Sequence, residues 1–374
     1  MKRRQFLERT IIAGSGAILA SHMPSYGMLK NTLFKNNKLG IALVGLGRYA
    51  TGQLAPALQE TEHCYLAGIV TGTPEKEGIW AEKYNIPKKN IYTYETFDSI
   101  ADNKDIDIVY VVLPNNMHAE YTIRAAKAGK HVISEKPMAT SVKDCQAMID
   151  ACTKARRKLS IGYRLHFEPH HLKMMELGQH KTFGDMERLS AGFSFHLRDK
   201  TAWRLNKKMA GGGPLVDLGI YAQQGSIYTM GELPVAVSAK ITTVDTDFFT
   251  DVEGSLEWQL IFPSGTRSFC RTSYEDEANF LSAEAKNGKF GLEPSFSYAG
   301  LKGTINGTPM DLPNVNQQAR QMDAFTLAVK NDTPSVVPGE MGLRDVYLIE
   351  KIYEAARSGK EVSLKDIPQV VQRV

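Results

Sequence analysis

Apolar and polar residues follow one another along this chain in two rhythms, the first from Leu39 to about Ile161 and the second beyond residue 185. In the first, Gly40-Ile-Ala-Leu-Val44 is a short apolar run, helical text follows to about Gln59, and a second apolar run fills Cys64–Val70. A helix near Glu75–Tyr84, a strand at Ile106–Leu113, a helix at Ala119–Ala128 and a strand at His131–Ser134 continue the alternation. Unbroken apolar runs separated by helices suit strands buried on both faces and joined by crossovers, so this half predicts a parallel sheet.

The later runs are Met186–Leu197, Val235–Val244, Ser255–Phe262, Gly265–Ser273 and Ala278–Lys286. Turn signals such as Pro263-Ser-Gly265 and Asn287-Gly288 separate several of them, which predicts a mostly antiparallel sheet. Helices at about Gln317–Lys330 and Gly342–Ser358 close the chain. The expected fold class is α/β: a Rossmann dinucleotide-binding domain over residues 39–160, then an α+β domain over 161–374 with an open sheet. At 374 residues the chain is long enough for two such cores.

Charge changes the picture at the front of the chain. The formal net charge is +4, but residues 1–38 carry +6 and the remainder −2, which is no electrostatic footprint for nucleic acid. Residues 1–27 read as a targeting segment and 28–38 as a linker. Lys2-Arg3-Arg4-Gln5-Phe6-Leu7 is a twin-arginine pattern, followed by an apolar run from Ile11 to Ala20 that Gly14 and Gly16 soften. A spanning helix needs about 20 apolar residues, so no stable membrane insertion is expected. Twin-arginine export carries folded proteins, so the expected location is the periplasm, with any cofactor loaded beforehand.

The four cysteines suggest no disulfide framework. Cys145 and Cys152 stand seven apart on an expected helix, roughly 10.5 Å along its axis, which exceeds disulfide reach. No cysteine or histidine spacing suits zinc, so no metal is expected.

Gly45-Leu-Gly47-Arg-Tyr-Ala50 has the Gly-x-Gly-x-x-Ala form of a dinucleotide fingerprint, after a strand and at the start of a helix. Its glycines permit a tight turn and let backbone amides approach a pyrophosphate. At the end of the second strand, Thr71 stands where an NAD site presents Asp or Glu, and Lys76 follows within reach of a phosphate. Hydroxyl and ammonium donors suit a 2′-phosphate, so the expected cofactor is NADP, although Lys76 also reads as a solvated helix lysine. Leu113-Pro114-Asn115-Asn116-Met117-His118 and Glu135-Lys136-Pro137 fall at the next strand ends, in the crevice where α/β sheets bind ligands. His118 alone equally suits capping or packing. Pro137 excludes Lys136 from the helical region and permits a cis bond.

Downstream, Gly211-Gly-Gly-Pro-Leu-Val-Asp-Leu-Gly-Ile-Tyr221 places Asp217 and Tyr221 four apart, on one face of a helix if it is helical from Leu215. A phenol and a carboxylate side by side, with Lys136, can move a proton while a nicotinamide moves a hydride. An N-capping aspartate and a packed tyrosine remain the alternative.

Together these segments resemble the glucose–fructose oxidoreductase and inositol dehydrogenase family, and most nearly its glucose–fructose branch. The likeness rests on Val44-Gly-Leu-Gly-Arg-Tyr-Ala50, Leu113-Pro-Asn115, His118-Ala-Glu120, Gly129-Lys-His131 and Glu135-Lys-Pro-Met-Ala-Thr-Ser141. Ile161-Gly-Tyr-Arg164, Trp203-Arg-Leu205 and Ala210-Gly-Gly-Gly213 through Tyr221 extend it into the second half. The resemblance implies Lys136 and Tyr221 as the catalytic pair, with Asp217 positioning sugar and phenol. It implies nucleotide contacts from the fingerprint (Gly45, Leu46, Gly47, Arg48, Tyr49) and from Thr71, Lys76, Tyr94, Leu113, Pro114, Asn115, His118, Glu135, Lys136 and Arg164. Trp203, Arg204 and Tyr298 would approach from the second domain.

Most of the family has histidine where Tyr221 stands; tyrosine there marks the glucose–fructose branch. The short linker lacks that branch's proline-rich arm, and Ala222-Gln223-Gln224 departs from it. The expected activity is NADP-dependent oxidation of an aldose at C1 to a lactone, with Tyr221 taking the proton and a second sugar returning the hydride. A nicotinamide-dependent glycosidase, separable by assay on aryl glycosides, and a non-catalytic sugar-binding protein are the alternatives. Small-molecule sugars and further copies of the chain, as a homo-oligomer, are the expected partners.

Overall fold

The computed structural model describes residues 38–374; the targeting segment 1–27 and all of the 28–38 linker except Lys38 lie outside the described residues. Six strands form the first sheet: β1 Leu39–Val44, β2 Cys64–Val70, β3 Ile91–Tyr92, β4 Ile108–Val111, β5 His131–Ser134 and β6 Leu159–Ile161. Their order is β3-β2-β1-β4-β5-β6, and every pairing is parallel. Burial on both faces accounts for the unbroken apolar runs: β1 is buried from Gly40 to Val44. Strand order reverses between β1 and β4, and the carboxyl ends there open a crevice.

The segment after the fingerprint is not one regular helix. Ala50–Leu54 winds with i→i+5 bonding, and only Ala55–Ala57 is α-helical. Pro56 has no N–H to donate four residues back, so the regular ladder expected to about Gln59 cannot pass through it.

Nine strands build the second sheet: β7 Met186–Ser194, β8 Ala236–Ile241, β9 Ser255–Ile261, β10 Arg267–Ser273, β11 Ala278–Ala285, β12 Gly288–Leu292, β13 Gly303–Ile305, β14 Thr308–Pro309 and β15 Val362–Ser363. The order is β14-β13-β12-β11-β7-β10-β9-β8-β15. It is antiparallel except where β7 and β10 run side by side in parallel. In β9, Leu256, Trp258 and Leu260 are buried while Glu257 is exposed, the alternation of a sheet with one covered face. Helices Pro169–Gln179, Ile220–Met230 and Gly339–Ser358 cover that face.

The two halves share their cores. One face of the first sheet merges with the second domain's core, through residues such as Met138 and Ile161 beside Met341. The other face takes Met322 and Phe325 from the late helix Gln317–Lys330. In that helix Asp323 accepts the backbone N–H of Glu62 at 2.9 Å and of His63 at 2.8 Å, tying the late helix to the turn before β2. The cysteines are free and buried, and no helix of the described residues is long and apolar enough to cross a membrane.

Candidate active site

The carboxyl ends of β1, β2, β4 and β5 bring most of the expected nucleotide residues to one crevice. Gly45 has φ +93°, and a Cβ there would meet the Val112 carbonyl at 2.5 Å, so only glycine turns this corner. Gly47 and Arg48 are exposed, and a Cβ on Gly47 would meet nothing within 4 Å. That open ground beside a helix start is what a pyrophosphate needs, so the residues present fit a dinucleotide. Lys76 donates its ammonium to the Leu46 carbonyl at 2.8 Å, which bends it over the fingerprint. Thr71 is 3% exposed and its hydroxyl accepts the Thr73 N–H at 3.1 Å, so it also shapes the turn after β2. The Tyr94 ring packs against Gly72 in that turn.

At the β4 end, Asn115 donates to the Ala210 carbonyl at 2.8 Å, linking the first domain to the glycine-rich segment of the second. His118 is fully buried. Its Nδ1 lies 2.8 Å from the Pro137 carbonyl and its Nε2 2.8 Å from that of Leu113. The direct nucleotide contact inferred for His118 is therefore replaced by a brace between the strand ends that carry Leu113-Pro114 and Lys136-Pro137. The Lys136–Pro137 bond is cis.

Lys136 is the junction of the site. Its Nζ donates to the Asp217 carbonyl at 2.5 Å, lies 3.3 Å from Asp217 Oδ1, and sits 4.7 Å from the centre of the Tyr221 ring. Asp217 belongs to a widened turn, Leu215–Gly219, that leads into the helix Ile220–Met230 bearing Tyr221. The turn departs from the regular helix expected there, yet both side chains still reach Lys136. Asp217 Oδ2 also accepts Arg204 Nε at 2.7 Å and the Tyr274 hydroxyl at 3.1 Å. Burial opposes the charge on Asp217, but Arg204 and Lys136 outweigh it and hold the carboxyl well below the usual carboxylate range. A carboxylate so saturated orients its neighbours; it does not take up protons at neutral pH.

Arg164 is buried beneath the aromatic wall, 5.2 Å from the Tyr221 ring centre and 4.6 Å from that of Tyr298. Its guanidinium donates to the Phe296 carbonyl at 2.5 Å, to the Ser297 carbonyl at 3.0 Å and to Gln317 Oε1. Tyr298 is exposed and meets Tyr49 of the fingerprint at 5.7 Å between ring centres, so the two domains face each other there. Trp203 stacks with Arg204 at 4.8 Å. Glu135 accepts the Tyr110 hydroxyl at 2.7 Å and the Lys136 N–H at 3.2 Å. Burial pushes its pKa up, against the pull of Tyr110 and Lys136.

Sequence reasoning missed Tyr274, which reaches Asp217 from the end of β10, and the pair Tyr110 and Gln321 behind Glu135, joined at 2.7 Å. These belong to remote segments with no local pattern to mark them.

The chain is similar to known proteins along most of its length. A family model described as an oxidoreductase family with an NAD-binding Rossmann fold matches residues 39–163, and a GFO/IDH/MocA C-terminal domain matches residues 171–306. The crystal structure of aldose-aldose oxidoreductase from Caulobacter crescentus, complexed with glycerol, is similar with a TM-score of 0.84 and 42% identity, covering 87% of this chain and 100% of that one. D-xylose 1-dehydrogenase (NADP+) of Haloarcula marismortui is 27% identical over 340 residues, 88% of this chain and 94% of that protein. D-glucoside 3-dehydrogenase of Escherichia coli is 26% identical over 352 residues, covering 88% and 98% respectively.

Proposed function

Because the chain belongs to the GFO/IDH/MocA oxidoreductase family and is an oxidoreductase acting on CH–OH groups, we propose that it oxidises an aldose at the anomeric carbon using NADP. The observation that carries this reading is the meeting of Lys136, Asp217 and Tyr221 beside the crevice at the carboxyl ends of the first sheet. Nicotinamide bound there supplies the acceptor for the hydride that leaves the sugar carbon.

The rest of the chemistry belongs to side chains. Tyr221, as its phenolate, takes the proton of the sugar hydroxyl and becomes a phenol. Cations on Lys136 and Arg164, both beside its ring, stabilise the phenolate that receives the proton. Asp217 holds Lys136 and Arg204 in place, and Trp203 and Tyr298 flank the opening from the second domain. Gly47 and Arg48, beyond the corner that Gly45 turns, would hold the pyrophosphate, with Thr71 and Lys76 at the 2′-phosphate.

A second sugar returns the hydride in this reading, so nucleotide stays bound and turnover needs none added. The enzyme acts in the periplasm, exported folded by its twin-arginine segment, as a homo-oligomer. Hydrolysis of the lactone product draws the first half-reaction forward.

The test is Tyr221→Phe, which removes only the hydroxyl. Turnover on aldoses should fall by about 10²–10⁴-fold with nucleotide content unchanged. Near-normal turnover in this variant would move the proton transfer elsewhere. Nucleotide released on denaturation should be NADP(H), and Thr71→Asp should shift preference towards NAD by setting a carboxylate against the 2′-phosphate. Recovery of NAD alone from the unaltered protein would overturn the cofactor assignment.

A further inference from the structure

Gly212 and Gly213, in the turn before Asp217, are both buried, and protein atoms occupy the space their missing side chains leave. A Cβ on Gly212 would collide with the Tyr353 hydroxyl, and one on Gly213 with the backbone and carboxylate of Glu253. Glu253 lies just before β9, and its carboxylate accepts the Gly213 N–H at 3.1 Å and the Leu215 N–H at 3.2 Å. Tyr353, from the helix Gly339–Ser358, donates its hydroxyl to Glu253 Oε1 at 2.8 Å. The first amides of a helical segment have no partner within it, and a buried carboxylate at that end satisfies two of them.

From there a line of hydrogen bonds runs to the reacting groups. Asp217 donates its N–H to the Gly213 carbonyl at 3.3 Å. The Asp217 carbonyl in turn accepts Lys136 Nζ at 2.5 Å, and that ammonium lies over the Tyr221 ring.

We propose that Glu253 is a positioning residue for the acid–base centre: by anchoring Gly213 it sets the Asp217 carbonyl and carboxylate that hold Lys136 against Tyr221. The inference rests on the reading of Lys136, Asp217 and Tyr221 as that centre. It gives Gly212 and Gly213 a purpose other than ligand contact, namely to let Tyr353 and Glu253 close on the backbone. The Glu253 carboxylate is taken up by Gly213, Leu215 and Tyr353, and acts through Asp217.

The experiment is a double-mutant cycle on the full chain with its bound nucleotide, using D-glucose and D-xylose as probe aldoses. The readout is single-turnover nicotinamide reduction, with nucleotide content and melting temperature followed in parallel. Glu253→Gln keeps the shape and one acceptor but loses the charge that binds two amides. It should slow reduction by about 10²-fold, the cost of a misplacement near 1 Å, while nucleotide content holds. In a Lys136→Ala background the same change should cost less than about 2-fold, because Glu253 acts only through the placement of that ammonium.

Equal slowing in both backgrounds would mark Glu253 as a general structural cap and overturn the proposal, as would a wild-type rate in Glu253→Gln. If Glu253→Gln does not fold, Tyr353→Phe removes only one of the carboxylate's partners and should give the same coupling at smaller amplitude; no coupling there overturns the proposal too. Tyr221→Phe in the same series separates the two ideas. A fast Tyr221→Phe sinks the reading of the centre, whereas a slow Tyr221→Phe beside a fast Glu253→Gln sinks only the role of Glu253.

Discussion

Two glycine-rich turns, Gly45-Leu-Gly47 and Gly211-Gly-Gly213, each lead into a helix through a widened turn, yet Gly47 spends its missing side chain in the opposite way to Gly212 and Gly213. Beside Gly47 there is open space; beside Gly212 and Gly213 stand Tyr353 and Glu253. The first turn keeps a backbone free for a visitor, and the second lets the protein grip its own. Glycine in a motif is thus a statement about close approach, and only the structure says what approaches.

The largest effect should come where the two regions meet. Lys136 is rooted at the sheet edge with the first turn and bonded to the segment after the second. Lys136→Ala should lower turnover by about 10²–10⁴-fold, and adding Tyr221→Phe should cost little more, because the two groups act as one unit. Losses that multiply in the double variant, measured by single-turnover kinetics, would show two separate contributions. Next comes stability. Gly213→Ala should cost about 1–3 kcal/mol or more through overpacking, seen as a lower denaturation midpoint. Gly47→Ala should leave the midpoint of the nucleotide-free protein unchanged while weakening nucleotide binding several-fold by titration. A destabilised Gly47→Ala with normal nucleotide affinity would erase the contrast.

The smallest separation lies in the buried histidines. Burial pushes the pKa of His166 down to about 4 and that of His171 down to about 3, both in the second half, and lowers that of His118 in the first. In the unfolded chain each sits near its ordinary value of about 6.5. Well above that pH neither state binds these protons. As pH falls below it, the unfolded chain takes them up first, so stability declines until the folded pKa is passed. The expected slope is up to about 1.4 kcal/mol per histidine per pH unit across that window, read from denaturant midpoints. A midpoint flat from about pH 7 to about pH 5 would mean that the folded protein also takes up these protons.

What could be read from sequence was local. Apolar runs located β1, β2 and β5 closely, since a strand buried on both faces writes itself without interruption. The fingerprint and Glu135-Lys136-Pro137 were legible because each sits at a strand end, where the fold leaves little choice. The short strands β13, β14 and β15 had no such signal; at three and two residues they exist only by pairing with neighbours. The same limit hid the supports of the site. Tyr274 is 57 residues from Asp217 and Glu253 is 40 from Gly213, separations over which no periodicity carries information. His118 was read as facing the ligand because its position in the motif is local knowledge, while its burial between two strand ends is not.

The late helix that seals the first sheet also sets a timetable. Asp323 bonds the Glu62 amide from 261 residues further along the chain, and Met322 and Phe325 complete the apolar layer against β1 and β2. During synthesis, domains tend to fold in order of emergence, amino-terminal first. Here the leading domain emerges with one flank bare and must wait for nearly the whole polypeptide before that flank is covered. A ribosome stalled, or a gene cut, anywhere before the late helix would leave a dinucleotide fold with a greasy open side, a target for chaperones and proteases rather than a working half. The part of the molecule made first is among the last to be finished.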